Sequence, residues 1–309
     1  MCWRAGPPRA IACAIPPQYC RNPALRLGSM RGWDGVFAAA FAAGFAMTCG
    51  CFGATAQEQP RSASACNGDT IAHGSASRII DGRSFVLDDG REVRLAAIEV
   101  PPLPLSQETD PAPGGTASRD ALDALLVGAQ VTLKQTEPQK TDRYGRLVAY
   151  AFVRHGDVEH LVQADLVGAG YARVAARVGN LACATELLSR ELAARAAKLG
   201  LWASSYYDLL RADNPTDVLA EQGHFALVEG KVLSVRESGA TIYVNFGRRW
   251  TEDFTVTILK RNERNFSAAG LEPKTLAGRQ IRVRGWIEER GGPWIEATRP
   301  EQIEFADRK

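Results

Sequence analysis

Histidine is scarce in this chain. His73, His155, His160 and His224 are the only four in 309 residues, and they are scattered. No histidine or cysteine stands at zinc-ligand spacing from another, and no Ser-His-Asp set is evident, so neither chemistry is expected. Cysteine is scarcer than its total of seven suggests. Cys2, Cys13, Cys20, Cys49 and Cys51 crowd the start, leaving Cys66 and Cys183 for the rest. Charge of one sign is lacking too. The net +2 owes everything to residues 1–56, which hold five arginines and one acid; the remainder has 32 basic and 34 acidic side chains. Such a balance excludes strong attraction to nucleic acid by bulk charge. An apolar run long enough to span a membrane is missing. The alanine-rich stretch from Val36 to Met47 falls short of the ~20 residues required.

That stretch has a different meaning. Arg31 precedes it and Ala54-Thr55-Ala56 follows it as a small-x-small site, the pattern of a secretory signal peptide. Met30 is the expected true start, residues 1–56 a leader, and the protein exported, periplasmic or secreted. An uncleaved anchor is the alternative. In an oxidising compartment an even pair of cysteines is usually bridged, so a Cys66–Cys183 disulfide is expected, with two separate buried thiols as the other reading.

The rest of the chain alternates between punctuation and short apolar runs. Residues 57–74 are rich in Gln, Ser, Ala, Pro and Gly, and read as a flexible arm. From Arg78 to Pro102, Asp81-Gly82 and Asp89-Gly90 break three strands. Helices are expected over Ala117–Val127, from Val158 to about Val167 behind an Asp157 cap, and over Leu181–Leu199 with Leu188, Leu192 and Leu199 on one face. In the last of these, Glu186–Arg190 and Glu191–Arg195 stand at i,i+4. Strands are expected over Gln130–Thr136, Leu147–Val153 and Tyr171–Val174. Residues 204–223 read as a linker helix. Beyond Phe225 the pattern is nearly all β: Ala226–Val235, Thr241–Phe246, Phe254–Leu259, Gln280–Ile287 and Trp294–Ala297. A helical segment, Asn262–Ala269, separates the third strand from the fourth, which is the order of an OB barrel.

Asp81-Gly82, Arg94-Leu95, Glu99-Val100-Pro101 and Thr141-Asp-Arg-Tyr-Gly-Arg146 carry a resemblance. Residues 75–203 are similar to the staphylococcal nuclease (thermonuclease-like) family. The resemblance implies a five-stranded OB barrel with packed helices, so the fold class expected is mainly β with α (α+β), with 224–309 as a second small OB-like barrel. It also implies hydrolysis of DNA or RNA phosphodiesters with Ca²⁺. Arg94 and Arg146 match the two arginines that clamp the phosphate, a role suited to a planar, bidentate donor. Glu99 stands at a metal-ligand position and Asp81 near it. Arg94 and Arg146 have a second reading, pairing with Glu99 and Asp142 to hold the barrel together.

Three positions depart from that pattern. Arg83 replaces a metal aspartate, and a guanidinium repels Ca²⁺. Pro102 replaces the glutamate that activates water, and loss of a general base alone typically costs ~10²–10⁴ in rate. Ala176 and Val178 stand where aromatics would stack on a base. Glu108 or Asp110 is a substitute base only if its loop swings in. Residues 57–224 carry a net of −5, against +3 for 225–309. Tyr243, Phe246, Arg248, Arg249 and Trp250, with Lys260 and Arg261, therefore form the better candidate surface for nucleic acid, unless the aromatics are core. The function expected is an exported thermonuclease-fold protein that binds nucleic acid or another phosphate-bearing ligand, its Ca²⁺-dependent cleavage in doubt. The alternatives are an active phosphodiesterase with a rebuilt metal site and a periplasmic protein-interaction scaffold.

Overall fold

Two Asp-Gly turns fold the first strands back on one another, as expected. The computed structural model describes residues 64–104, 112–136, 141–249 and 251–306. β1 (Asp69–Asp81), β2 (Ser84–Leu87) and β3 (Glu92–Leu95) form an antiparallel meander, and Ile98–Glu99 makes a short β4. α1 (Gly115–Leu126) crosses over to β5 (Gln130–Gln135), which returns along β1. β6 (Leu147–His155) pairs with β5 on one side and, in parallel, with β3 on the other. The ring β1-β2-β3-β6-β5 is thereby closed, and closure leaves its strands no open edge to cover. β7 (Val158–Leu161), α2 (Val162–Gly168), β8 (Arg173–Val174) and α3 (Leu181–Ala196) complete this half.

Inside the ring, Phe85, Leu87, Val93, Leu95, Val131, Leu133 and Ala151 are buried, and Leu122, Leu126, Leu166 and Leu187 of the helices join the same core. Each such large side chain stabilises by about 1.5–3 kcal/mol. Cys66 and Cys183 are bonded, tying the start of the described chain to the first turn of α3. At a sequence separation of 117, loop-closure entropy accounts for about 4–5 kcal/mol.

Between the halves lie two short 3₁₀ turns, Gly200–Ala203 and Ser205–Tyr207. Gly170 and Gly200 touch where the chain leaves α3. A Cβ on Gly170 would lie 2.2 Å from the Leu199 carbonyl oxygen, and one on Gly200 2.4 Å from that of Gly170. Both also have positive φ, so only glycine fits. β9 (Leu210–Arg211) and α4 (Pro215–Ala220) lead into β10 (Phe225–Lys231), β11 (Ser234–Ser238), β12 (Thr241–Asn245) and β13 (Thr255–Leu259). α5 (Lys260–Ala268), β14 (Gln280–Trp286), β15 (Glu288–Arg290), β16 (Gly292–Glu296) and β17 (Ile303–Phe305) follow. The sheets β17-β14-β10-β9 and β11-β12-β13-β16-β15 enclose a second core of Val228, Ile242, Val256, Ile258, Phe254, Ile281 and Val283. The molecule is thus a mixed α+β protein richer in strand than helix. The described residues fall within one compact unit. None of their helices is long and apolar enough to cross a membrane.

Several elements differ from expectation. Residues 69–74, expected in a flexible arm, belong to β1, because β5 supplies their hydrogen-bond partners from Gln130 to Gln135. Val158–Leu161 is strand and not helix: Gly156, at φ 60°, turns the chain back and residues 158–161 pair with β6. Leu192 and Leu199 are exposed, and the buried stripe of α3 is Cys183, Ala184, Leu187, Glu191 and Ala194. The linker contains one 3₁₀ turn, Ser205–Tyr207, with β9 and α4, and β9 joins β10 in parallel. The strand expected over 226–235 is two, since Val232 and Leu233 carry the chain from one sheet to the other. The expected leader lies outside the described residues.

Candidate functional site

The meander, the parallel β3–β6 seam and the polar turn bring three arginines to one end of the closed barrel. Arg94 sits on β3 between Ser84 and Val148 of the neighbouring strands. Arg83 starts the return from the Asp81-Gly82 turn, where its backbone N–H donates to Asp81 Oδ1 at 2.8 Å. Arg146 closes the turn after β5. There Asp142 Oδ1 accepts from the backbone N–H groups of Tyr144 (2.9 Å) and Arg146 (3.1 Å), while its Oδ2 accepts from Arg146 Nε at 2.8 Å. Gly145, at φ 79°, lets the turn close. Glu99, on β4, reaches in from the facing edge.

The partners differ among the three. Arg83 binds the Glu99 carboxylate through Nη1, which also lies 3.4 Å from the Ile98 carbonyl oxygen. Both side chains are mostly covered, at 16% and 14% exposure. Arg146 is paired with Asp142 and, at 3.7 Å, with Glu92. Its hydrogen bond to Asp142 raises its pKa above the ordinary value despite burial. Asp142 is moved the other way: burial pushes its carboxyl up, but the hydrogen bonds from Arg146 and Tyr144 prevail and hold it below the usual range. Among the described residues, the Arg94 guanidinium makes no hydrogen bond or ion pair. Burial lowers its pKa first, and the positive charge of Arg83 next, with Glu99 opposing. Arginine stays charged in any case, so Arg94 is a half-buried cation beside two others, the arrangement expected of an anion site. The second reading of the clamp, as structural pairing, therefore fits Arg146 but not Arg94, whose expected partner Glu99 is committed to Arg83.

Calcium needs six to eight oxygen ligands, and these residues do not fit it. Glu99 is neutralised by Arg83, and Asp81 accepts from the backbone beside it. No group of three or more His, Cys, Asp and Glu side chains among the described residues is placed to hold a metal. Pro102 is exposed and carries no base. Its backbone abuts the start of α1, where a Cβ on Gly115 would lie 2.1 Å from the Pro102 carbonyl oxygen. Val178 is buried, its N–H donating to Glu301 Oε1 at 3.2 Å and its carbonyl accepting from Tyr150. Ala176 packs beside the small cluster of Trp202, Tyr207 and Phe225. The stacking positions are thus taken up by packing. Tyr144, 68% exposed, has Arg143 and Arg146 beside its ring. Glu108 and Asp110 lie outside the described residues.

The C-terminal candidates do not all gather. Tyr243 and Arg248 line a cleft of about 1060 Å³ over β11-β12-β13-β16-β15, together with Arg236, Arg290 and Trp294. Phe246 turns away from it and packs on Phe254, ring centroids 5.0 Å apart, so it belongs to the edge of the core and not to the cleft. Arg249 pairs with Glu252, and Lys260 with Glu237, each at 2.9 Å. Arg261 is exposed on α5, and Trp250 lies outside the described residues.

Two features escaped the sequence reading. Arg284 is wholly buried between the halves and donates to Glu191 (2.6 and 3.2 Å), to the Val174 carbonyl (2.9 Å) and to Glu304. The Arg173 guanidinium lies over the rings of Tyr207 and Phe225, 5.0 Å from each centroid. Neither carries a sequence signal, because their partners lie 20 to 110 positions away, on other elements.

Residues 92–204 match the model of the family described as Staphylococcal nuclease homologue. No curated protein matches the chain. The match covers β3 through α3 and ends just past Trp202, and it takes in Arg94, Glu99, Pro102 and Arg146. Together with the closed five-stranded barrel, it supports a staphylococcal nuclease-like domain in this part of the chain.

Proposed function

We propose that this protein binds phosphate-bearing polymers, single-stranded nucleic acid first among them, on the arginine end of its nuclease-type barrel, without Ca²⁺-dependent cleavage. One observation carries the reading: Arg83 occupies Glu99, while Arg94 beside it has no carboxylate of its own among the described residues. A fixed guanidinium on Glu99 supplies positive charge where a family member's metal would, and it leaves no carboxylate to orient a water. The exposed Tyr243 and Arg248 in the C-terminal cleft support a second contact with the same strand. The Cys66–Cys183 bond supports the export reading, since such bonds persist in oxidising compartments.

Fluorescence anisotropy on labelled single-stranded DNA and RNA tests the proposal, alongside cleavage assays with and without Ca²⁺. Salt-sensitive binding that weakens about tenfold in Arg94→Ala, with no cleavage in either condition, is the expected result. Ca²⁺-dependent cleavage lost in both Arg94→Ala and Arg146→Ala would establish a working phosphodiesterase instead. The scaffold reading has its own support in the pairing of Arg146 with Asp142 and Glu92. Absence of both cleavage and salt-sensitive binding would favour it.

A further inference from the structure

A cleft of about 440 Å³ lies beside the arginine end, where the barrel meets the C-terminal half. One wall is Arg83, Glu99 and the Pro101-Pro102 turn; the other is Tyr206, Tyr207, Phe225 and Trp286. Arg173 lies between the two walls and is short of acceptors. Its Nη1 donates to the Phe225 carbonyl at 2.8 Å, and its Nε is buried with no partner. It forms no ion pair among the described residues, and its guanidinium lies over the rings of Tyr207 and Phe225. The acids of the cleft are engaged elsewhere: Glu99 with Arg83, Asp81 with the Arg83 backbone, Glu221 with His224 at 3.4 Å, while Asp208 is exposed. A desolvated guanidinium with donors to spare favours an acceptor brought from outside. Beside it, Tyr206 and Trp286 expose 39% and 49% of their surface on the cleft, and aromatic faces of that kind take up a planar ring.

We infer that this cleft is a binding site for a small organic anion, a carboxylate or phosphate monoester carried on a planar ring, with Arg173 holding the anion and Tyr206 and Trp286 flanking the ring. The inference does not rest on polymer binding at Arg94. The site needs both halves of the chain, which is why the barrel's family alone would not supply it.

Isothermal titration calorimetry on the full chain decides it, using phenyl phosphate and benzoate, with inorganic phosphate, benzyl alcohol and benzylamine as controls. At least one aryl anion is expected to bind with a Kd below about 1 mM. It should weaken about fivefold or more in Tyr206→Ala and in Trp286→Ala, two exposed positions whose replacement leaves the core intact. Which of the two anions binds more tightly identifies the acid group. Arg173→Gln should abolish binding, and unchanged thermal unfolding in the aromatic variants shows that their loss is local. The inference is overturned if neither aryl anion saturates by about 10 mM, or if benzyl alcohol or benzylamine binds as well as benzoate. It is equally overturned if binding survives both aromatic variants, or disappears in Arg94→Ala, which would move the site to the barrel.

Discussion

The carboxylate of Glu99 is held by the guanidinium of Arg83, and that guanidinium is covalently attached. Its effective concentration there is fixed, and no free cation has to be desolvated to arrive. Calcium is therefore expected to leave the thermal midpoint of the wild-type protein unchanged at 10 mM. In Arg83→Asp a second carboxylate joins a freed Glu99, and the same calcium should raise the midpoint by about 2 °C or more, because a ligand that binds only the folded state stabilises it. Differential scanning calorimetry on the two proteins checks this, and an equal response in both would contradict it. The substitution was legible in the sequence as an arginine out of pattern. That it binds Glu99, and so leaves Arg94, of the three clustered arginines, without a carboxylate among the described residues, came only from the packing.

At the scale of the element, α3 shows how a helix can satisfy its periodicity and still mislead. Its leucines suggest an apolar face, yet Leu192 is 55% exposed and the buried stripe carries Glu191. The i,i+4 pairs visible in its sequence are not the ones it makes. Glu186 instead accepts from Ser64 Oγ and the Ala65 N–H, while Arg195 reaches Glu304 at 3.2 Å. Surface pairs of that spacing are worth only a few tenths of a kcal/mol, so distant partners readily outcompete them. The N-terminus of α3 behaves as local chemistry dictates: Asn180 Oδ1 accepts from the Cys183 N–H at 2.7 Å. Asn180→Ala should cost about 1 kcal/mol in urea unfolding. The loss should persist when Cys66 and Cys183 are both replaced by alanine, since the cap acts on the helix and not on the bridge.

At the scale of the whole molecule, one ion cluster pins the two cores together. Arg284 comes from β14, Glu191 from α3 and Glu304 from β17, with Arg195 and Arg282 at its edge. Glu191→Ala would leave Arg284 buried without its main counter-charge and should cost about 3–5 kcal/mol. Adding Arg284→Met should recover most of that, because the stranded charge is gone; chemical denaturation of single and double variants measures the difference. The same cluster sets a pH dependence. Burial pushes the Glu304 carboxyl up, but Arg284 and then Arg195 prevail and hold it below the ordinary value of 4.5. A depressed folded pKa means the unfolded chain takes up its proton first as pH falls. The stability contributed by Glu304 is thus fully present above about pH 4.5 and is lost below it as pH drops through the folded value. Urea midpoints between pH 6 and pH 3 should show that fall, and Glu304→Gln should make it shallower.

The sequence by itself determined the barrel's strands, the Asp-Gly turns, the helices α1 and α3, the cysteine pair and the departures at Arg83 and Pro102. All of these rest on local spacing or on a motif within a short stretch. The tertiary structure alone decided which of the three clustered arginines has no carboxylate among the described residues, that Phe246 joins the edge of the core while Tyr243 is surface, and that Arg173 ends in a cleft between the halves. Charge pairing inside a fold depends on which side chains arrive within a few ångströms of one another. For Arg284 and Arg173 those partners come from strands and helices that no periodicity connects.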